Sequence, residues 1–330
     1  MPIGLWIGTS GWGYPDWHAK HEQTQLPFYP QSIANHQRLA FYSEIFPTVE
    51  INTSFYSPPR TASVQKWYQQ VPEYFIFSYK IPRTITHKKK LREDYFLDLT
   101  PFLETMTSAL RKKIGPALLQ LPPRFSSDYF NDLKVFLQKW PSELRLAVEF
   151  RDLSWIERPR YEETMDLLMT HNIAYCIVDE PLLPPLLPVT SDFVYMRFHG
   201  HGLKPWYNYL YSIEELRSWK SKLQEITQNK QLRDIYVYFN NHPHGSAPNN
   251  ARQLAILLKQ DYPTPNAVDL TKVRKKAGDP PQISLERFLG RPELDMEDYV
   301  RFCERCGEMV LKDDKFCQEC GSPIASDSYT

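Results

Sequence analysis

Charged and amide side chains follow a series of short apolar runs in this sequence, at positions suited to acid–base chemistry or anion binding. The runs span residues 5–8, 48–52, 75–80, 117–121, 145–151, 173–179, 193–199 and 234–241. Their ends carry Glu50, Lys80, Glu149, Arg151, Asp179, Arg197, His199, Asn240 and Asn241. If the runs are parallel strands of a barrel, their carboxyl ends face one mouth, where the active sites of such barrels lie. The sequence therefore predicts a polar site without naming its substrate.

Two carboxylates and a histidine are the candidates for proton transfer. Glu50 and Glu149 could divide acid and base roles, as in glycoside hydrolysis, provided that their surroundings separate their proton affinities. The alternative is that each is locked in an ion pair with a cation at a neighbouring strand end. His199 is the best general-base candidate, and Asp179 would orient it across the mouth; the alternative is a structural histidine whose hydrogen bonds are satisfied within the protein. The predicted catalytic residues are thus Glu50, Glu149, His199 and Asp179.

Three cations at the ends of different strands predict a concave anion site. Lys80, Arg151 and Arg197 would hold a phosphate or carboxylate, and aromatic side chains nearby could stack on bases or sugars. The predicted substrate-binding residues are Lys80, Arg151, Arg197, Asn240, Asn241, Trp12 and Tyr56. The first hypothesis is accordingly a hydrolase-like enzyme acting on an anionic, phosphorylated or nucleotide-like small molecule.

A second hypothesis is a nucleic-acid-binding protein without catalysis. It would use the basic loop of residues 83–92, the aromatic rim and a carboxyl-terminal module. The chain has 39 Lys and Arg against 39 Asp and Glu, so its formal net charge is zero. That balance weakens the hypothesis, because indiscriminate nucleic-acid binders usually carry a large basic excess.

Helical spacing between the apolar runs predicts an alternation of strands and helices, hence a (β/α)8 TIM-type barrel over residues 1–262. The sixth crossover should be irregular, because residues 181–188 are too rich in proline for a regular helix. Residues 263–298 are rich in Pro, Lys, Asp and Gly, and we interpret them as a linker or a strap across the barrel.

A separate module, residues 299–325, contains two Cys-x-x-Cys pairs. Cys303, Cys306, Cys317 and Cys320 supply four thiolates, which close a tetrahedral site and leave no position for a catalytic water. The spacing predicts a small carboxyl-terminal zinc ribbon holding a structural Zn²⁺. The third hypothesis makes this ribbon a docking adaptor for a protein or a nucleic acid. We predict no catalytic metal or organic cofactor in the barrel, since His199 is the one histidine directly at a strand end.

Several motifs within residues 3–260 resemble those of the YecE-like family, the domain of unknown function numbered 72. These motifs are Gly8-Thr9-Ser10-Gly11-Trp12, residues 49–56, Lys80 with Thr86-His87, residues 120–123, Glu149-Phe150-Arg151 with Ser154-Trp155, Arg197-Phe198-His199-Gly200, and residues 238–241 with Gly245, Ala247, Asn250 and Ala251. The resemblance implies a barrel related to the xylose-isomerase and endonuclease IV type. It implies no established reaction, and the ribbon departs from the usual single-domain pattern.

The remaining sequence features concern location. The amino terminus enters a strand without a basic leader or a cleavable apolar segment, and no apolar run approaches the ~18 residues of a membrane span. The grouping of four cysteines near the carboxyl end fits metal binding in a reducing compartment. We therefore expect a cytoplasmic protein with no membrane partner, and we interpret the fifth cysteine, Cys176, as a small buried hydrophobe.

Overall fold

Eight parallel strands form one sheet that curls into a barrel. The computed structural model describes residues 3–22, 24–92, 94–203 and 205–277, and the backbone of residues 300–302 and 309–311. The strands are Gly4–Thr9 (β1), Thr48–Ile51 (β2), Ile76–Lys80 (β3), Ile114–Gln120 (β4), Leu146–Glu149 (β5), Ala174–Asp179 (β6), Phe193–Phe198 (β7) and Asp234–Phe239 (β8). Their order is β1-β8-β7-β6-β5-β4-β3-β2, and a parallel bridge between Ser10 and Glu50 brings the two ends of the sheet together. This confirms the predicted (β/α)8 TIM-type barrel.

Helices occupy most of the crossovers between these strands. They are Arg38–Tyr42 (α1), Thr61–Gln70 (α2), Tyr95–Leu110 (α3), Phe130–Gln138 (α4), Arg160–Thr170 (α5), Ile213–Ile226 (α6) and Ser246–Leu257 (α7). A capping box begins α6, where Ser212 and Glu215 satisfy each other's backbone N–H groups. The sixth crossover, residues 180–192, contains no helix. Its prolines lack the N–H that a helix interior requires, so the predicted irregularity is confirmed.

Two glycines allow β1 to close the barrel against β2. A side chain on Gly8 would place its Cβ only 2.2 Å from the carbonyl oxygen of Thr48. Gly11 has a φ of +84°, and its N–H donates to the carbonyl oxygen of Glu50 at 2.8 Å. Both positions therefore need glycine, one for close approach and the other for a left-handed backbone.

The buried side chains divide into a layer outside the barrel and a smaller group inside it. The outer core lies between the strands and the helices, whereas the inner group includes Leu118, Cys176, Tyr195 and Tyr238. Cys176 is 1% exposed, as predicted for a small buried hydrophobe, and burial raises the pKa of its thiol well above the usual range. Successive residues of a strand face opposite sides, so the inner surface is built from every second residue.

The chain beyond β8 continues to contribute to the barrel domain. Residues 270–277, which fall in the segment predicted to be a linker or strap, form a further helix, Leu270–Ala277 (α8). This helix contacts α1 and α2, buries Val273, and places the Lys276 ammonium against the Glu44 carboxylate. Within the described residues, no helix is both long enough and apolar enough to cross a bilayer.

The module of residues 299–325 is described only in part. Val300–Phe302 (β9) and Met309–Leu311 (β10) pair as an antiparallel hairpin, with Arg301 opposite Val310. The four predicted zinc ligands, Cys303, Cys306, Cys317 and Cys320, lie outside the described residues.

Candidate functional site

Glu50 on β2 and Arg197 on β7 meet inside the barrel, and both side chains are almost completely buried. Nη2 of Arg197 donates to Oε1 of Glu50 at 3.0 Å, and Nε donates to Oε2 at 3.1 Å. Glu50 also accepts a hydrogen bond from the Ser10 hydroxyl at 2.5 Å and one from the Tyr195 hydroxyl at 2.6 Å. Each carboxylate oxygen thus has donors on two sides, as a buried charge requires.

Glu149 at the end of β5 is the second buried carboxylate. It accepts hydrogen bonds from Nη1 of Arg197 at 2.7 Å, Nε of Arg151 at 2.5 Å and Nε2 of Gln120 at 2.8 Å. Burial alone would raise the pKa of the Glu149 carboxyl, but the two guanidinium groups outweigh burial and hold that pKa well below its usual range. Glu149 is therefore ionised at neutral pH.

Arg151 and Glu180 extend this arrangement toward the rim. Nη1 of Arg151 donates to Oε2 of Glu180 at 2.6 Å. Positive and negative side chains now alternate, in an arrangement that we call the charged network: Glu50, Arg197, Glu149, Arg151 and Glu180. Arg197 is 1% exposed and Arg151 is 8% exposed, so the network runs from the barrel interior toward the surface.

His199 lies beside the two arginines of the charged network. Nη2 of Arg151 and Nη1 of Arg197 donate to its Nε2, at 3.1 and 3.2 Å. Guanidinium groups can only donate hydrogen bonds, so Nε2 accepts from them through its lone pair. The ring hydrogen is therefore on Nδ1. The Asn240 amide lies 3.0 Å from Nδ1, and Oε1 of Glu149 lies 3.7 Å from Nε2. The two guanidinium groups therefore fix the tautomer of the candidate base, and Asn240 contacts its other ring nitrogen.

Asp179 does not fill the position expected of it beside His199. Its Oδ1 lies 3.0 Å from Nε2 of His201, and its Oδ2 accepts from the Trp219 indole N–H at 3.2 Å. The hydrogen bond that His201 donates to Asp179 raises the pKa of His201. Asp179 thus ties the end of β6 to α6 and to the loop after β7, while Asn240 takes the predicted position at Nδ1 of His199.

Asn240 and Asn241 are neighbours in sequence but contact opposite sides of the barrel wall. Nδ2 of Asn241 donates to the Tyr209 carbonyl at 2.8 Å and to Oδ1 of Asn250 at 2.9 Å. Asn250 lies on α7, outside the sheet. The structure therefore brings Asn240 to His199, and it uses Asn241 to join β8 to α7 and the loop after β7.

Lys80 and the predicted stacking residues lie around the charged network on the β1–β3 side. Nζ of Lys80 sits 4.0 Å from the centre of the Phe55 ring, which also contacts the Tyr56 ring at 5.2 Å. Trp12 contacts Trp67 edge to face, with ring centres 5.4 Å apart. Tyr56 and Trp12 are both half-buried, so part of each ring reaches the surface.

The basic loop after β3 is tied to acidic and aromatic neighbours. Lys89 pairs with Asp98 at 3.0 Å, and Arg92 pairs with Asp132 at 3.3 Å. Nζ of Lys90 lies 5.2 Å from the centre of the Tyr129 ring. Two cations of this loop, Lys89 and Arg92, are therefore already paired with carboxylates of the protein.

Four residues of the site were missed by the reasoning from sequence. They are Ser10, Gln120, Glu180 and Tyr195. Alternation along a strand was the available signal for Tyr195, because residues two apart share a face and Tyr195 precedes Arg197 by two. Glu180 follows directly after the predicted end of β6. Among the described residues, no group of three or more His, Cys, Asp and Glu side chains is arranged to hold a metal ion.

Comparison with known proteins identifies relatives over most of the chain. A family model described as "Protein of unknown function DUF72" matches residues 6–275, and a zinc-ribbon domain model matches residues 302–324. UPF0759 protein YunF of Bacillus subtilis (strain 168) is 29% identical over 298 residues, 81% of this chain and 99% of YunF. UPF0759 protein YecE of Escherichia coli (strain K12) is 33% identical over 162 residues, 49% of this chain and 54% of YecE.

Solved structures agree with these matches. The crystal structure of a DUF72 family protein from Thermotoga maritima MSB8 has a TM-score of 0.65 at 30% identity, covering 78% of this chain and 100% of that one. A DUF72 family protein from Enterococcus faecalis V583 also has a TM-score of 0.65, at 23% identity over 79% of this chain and 99% of that one. The latter likeness supports the fold alone.

Proposed function

We propose, for a chain that belongs to the DUF72 family, that the mouth of the barrel binds and hydrolyses an anionic, phosphorylated or nucleotide-like small molecule. The family is described as being of unknown function, so the reaction is argued from the geometry of this chain. One observation carries the proposal. At the mouth, His199 contacts a cation, Arg151, through one ring nitrogen and an amide, Asn240, through the other.

The two arginines have different places in this proposal. Arg197 lies deepest and bridges Glu50 and Glu149. Arg151 lies nearer the surface, on the side of the network from which a ligand would enter. A guanidinium group matches phosphate oxygens in geometry as well as charge. Arg151 would therefore contact the anion, and Arg197 would hold the carboxylates that keep Arg151 in position.

Glu50 and Glu149 fit an electrostatic role better than paired proton transfer. In glycoside hydrolysis, two carboxylates flank the scissile bond and leave room for it. Here the Arg197 guanidinium lies between the two carboxylates and bonds to both. The ion-paired alternative considered from sequence thus has the stronger support, and glycoside hydrolysis by this pair is not proposed.

His199 is the proposed proton acceptor. In hydrolysis of a phosphate ester, the water oxygen bonds to phosphorus, and the bond from phosphorus to the leaving oxygen breaks with its electron pair. The proton that the water loses would pass to Nε2 of His199, in place of the hydrogen bond that Arg151 donates there before it turns to the anion. The ring would then be positive, and Glu149, 3.7 Å away, would stabilise it. The ring would finally return a proton to the leaving oxygen.

The basic loop gives less support to nucleic-acid binding. Lys89 and Arg92 already pair with Asp98 and Asp132. Neutralised cations release few counterions from a nucleic-acid backbone, so they contribute little affinity. A docking role for the ribbon stays a prediction, as does the Zn²⁺ that its four cysteines would hold.

The test measures binding and turnover separately on the full-length protein. Inorganic phosphate and nucleoside monophosphates are titrated by calorimetry, and release of phosphate from a panel of monoesters is followed. We expect Arg151→Gln to weaken binding, and His199→Gln to bind normally but to lose about 100-fold in turnover. Arg92→Gln, outside the mouth, is the matched control. Absence of both binding and turnover in the wild type would refute the proposal, and oligonucleotide affinity that falls steeply with salt would favour the nucleic-acid alternative.

A further inference from the structure

Two asparagines at the mouth have polar atoms that the protein leaves unsatisfied. Oδ1 of Asn52 and Oδ1 of Asn240 are buried and have no hydrogen-bond partner among the described residues. Buried polar groups in folded proteins are nearly always paired, and an unpaired one destabilises the fold. Two such atoms at one end of a barrel indicate groups that await a ligand or an ordered water.

Asn52 presents a hydrogen-bond acceptor. It follows β2 directly, two residues after Glu50, where the chain leaves the strand and turns into a short helical segment. Its side chain does not cap the short helical turn that follows. A ligand hydroxyl would satisfy Oδ1 by donating to it.

Asn240 presents a hydrogen-bond donor, because the hydrogen on the His199 ring occupies its amide oxygen. The ring hydrogen is on Nδ1, so the amide must turn its oxygen toward that nitrogen. The oxygen and nitrogen of an amide have nearly the same shape, and their assignment follows from the hydrogen bonds. The NH₂ group then occupies the unpartnered position, beside His199 and Arg151. A phosphate oxygen would satisfy it.

The barrel sets the distance between these two groups. β1 lies between β8 and β2, because β1 pairs with β8 and Ser10 bridges to Glu50. The lateral separation of Asn240 and Asn52 is therefore two strand spacings, about 10 Å, and Asn52 lies a further two residues along the chain from Glu50, which is level with Ser10. A small phosphorylated polyol has this length. Inorganic phosphate is too short to reach both.

We infer that the ligand of the mouth is a hydroxyl-bearing phosphate ester of the sugar-phosphate class, whose phosphate contacts Asn240 and whose hydroxyl donates to Asn52. The inference rests on the proposed function and narrows its substrate class. Neither contact depends on hydrolysis, so binding alone can test it.

The closing experiment compares two esters that differ in hydroxyl groups but share charge and chain length. Glycerol 3-phosphate and propyl phosphate are titrated into the full-length protein by calorimetry. We expect the wild type to bind glycerol 3-phosphate about tenfold more tightly, the value of one well-formed hydrogen bond. Asn52→Ala should remove this preference. Asn240→Ala should weaken both esters similarly and keep the preference.

Two controls keep loss of folding from imitating the result. Thermal unfolding is measured for every variant, and Asn52→Asp, which retains an acceptor oxygen, should keep the preference for glycerol 3-phosphate even if both esters bind more weakly. Equal binding of the two esters by the wild type, or a preference that survives in Asn52→Ala, would overturn the inference while leaving the proposed function standing. If neither ester binds, the inference fails, and the titrations with inorganic phosphate and nucleoside monophosphates decide whether the proposed function fails as well.

Discussion

The barrel mouth and the four-cysteine ribbon are built in opposite ways. The mouth gathers side chains from Ser10 to Asn240, contributed by strands that are remote in sequence. The ribbon's candidate ligands all lie between Cys303 and Cys320. A site defined by local spacing can be read from the chain, whereas a site assembled across a barrel has contacts that depend on the whole fold.

The two regions also differ in how their charges are balanced. The four cysteines of the ribbon are predicted to bind an ion from outside the chain, because cysteine binds zinc as a negatively charged thiolate. The charged network supplies its own counterions, because Arg197 and Arg151 alternate with three glutamates. This contrast predicts that removing metal affects one region and removing a guanidinium affects the other.

Removal of zinc should produce the largest effect. Chelation, or Cys303→Ser, is expected to unfold the ribbon, because structural zinc contributes ~10–16 kcal/mol to modules of this size. The measurement is the dispersion of ribbon amide signals in a heteronuclear spectrum, with the melting of the barrel as the control. Ribbon signals that stay dispersed after chelation would contradict a four-thiolate zinc site.

Loss of Arg197 should be the next largest effect. Arg197→Met leaves Glu50 and Glu149 buried with fewer cations, so we expect the free energy of unfolding to fall by about 3–5 kcal/mol. Chemical denaturation measures the change. A difference below 1 kcal/mol, on the order of an exposed pair, would mean that the network does not hold the mouth together.

The Glu149 carboxyl should make stability depend on pH. Its pKa in the folded protein lies well below the ordinary value of 4.5, so its ionisation stabilises the fold above that pH, and this contribution is lost as the pH falls toward the folded pKa. Glu149→Gln lacks the titrating group. The stability gap between wild type and Glu149→Gln should be widest above pH 4.5 and should narrow below it. Chemical denaturation between about pH 7 and pH 3 measures this stability gap. A gap that stays constant over that range would contradict the lowered pKa of Glu149.

The smallest effect is expected on the outer surface. Arg92 pairs with Asp132, and its side chain is 60% exposed. Arg92→Met should change the free energy of unfolding by about 0–1 kcal/mol, because solvent screens the pair. Arg197→Met is the same substitution at a buried position, so the two variants compare burial directly. Similar losses of unfolding free energy in the two variants would contradict the expected difference between the buried mouth and the exposed surface.

Prediction from sequence succeeded where the signal was local. The eight apolar runs and the proline-rich sixth crossover both depend on neighbouring residues, and the structure confirms them. The predicted runs ended two residues too late at β5 and β8. Asp179 failed as the partner of His199 since no local pattern distinguishes Asn240 from Asp179 as its neighbour.

The sequence by itself determined that strands alternate with helices, that polar residues stand at the strand ends, and that four cysteines have zinc-ribbon spacing. Period and spacing are properties of the chain, so they survive without coordinates. Only the tertiary structure decided that Arg197 lies between Glu50 and Glu149 and that Asp179 contacts His201. It also decided that Asn240 and Asn241 contact opposite sides of the barrel wall. The physical reason is that a buried charge takes whichever partner the closed barrel brings within hydrogen-bond distance, and closure joins residues that no local spacing relates.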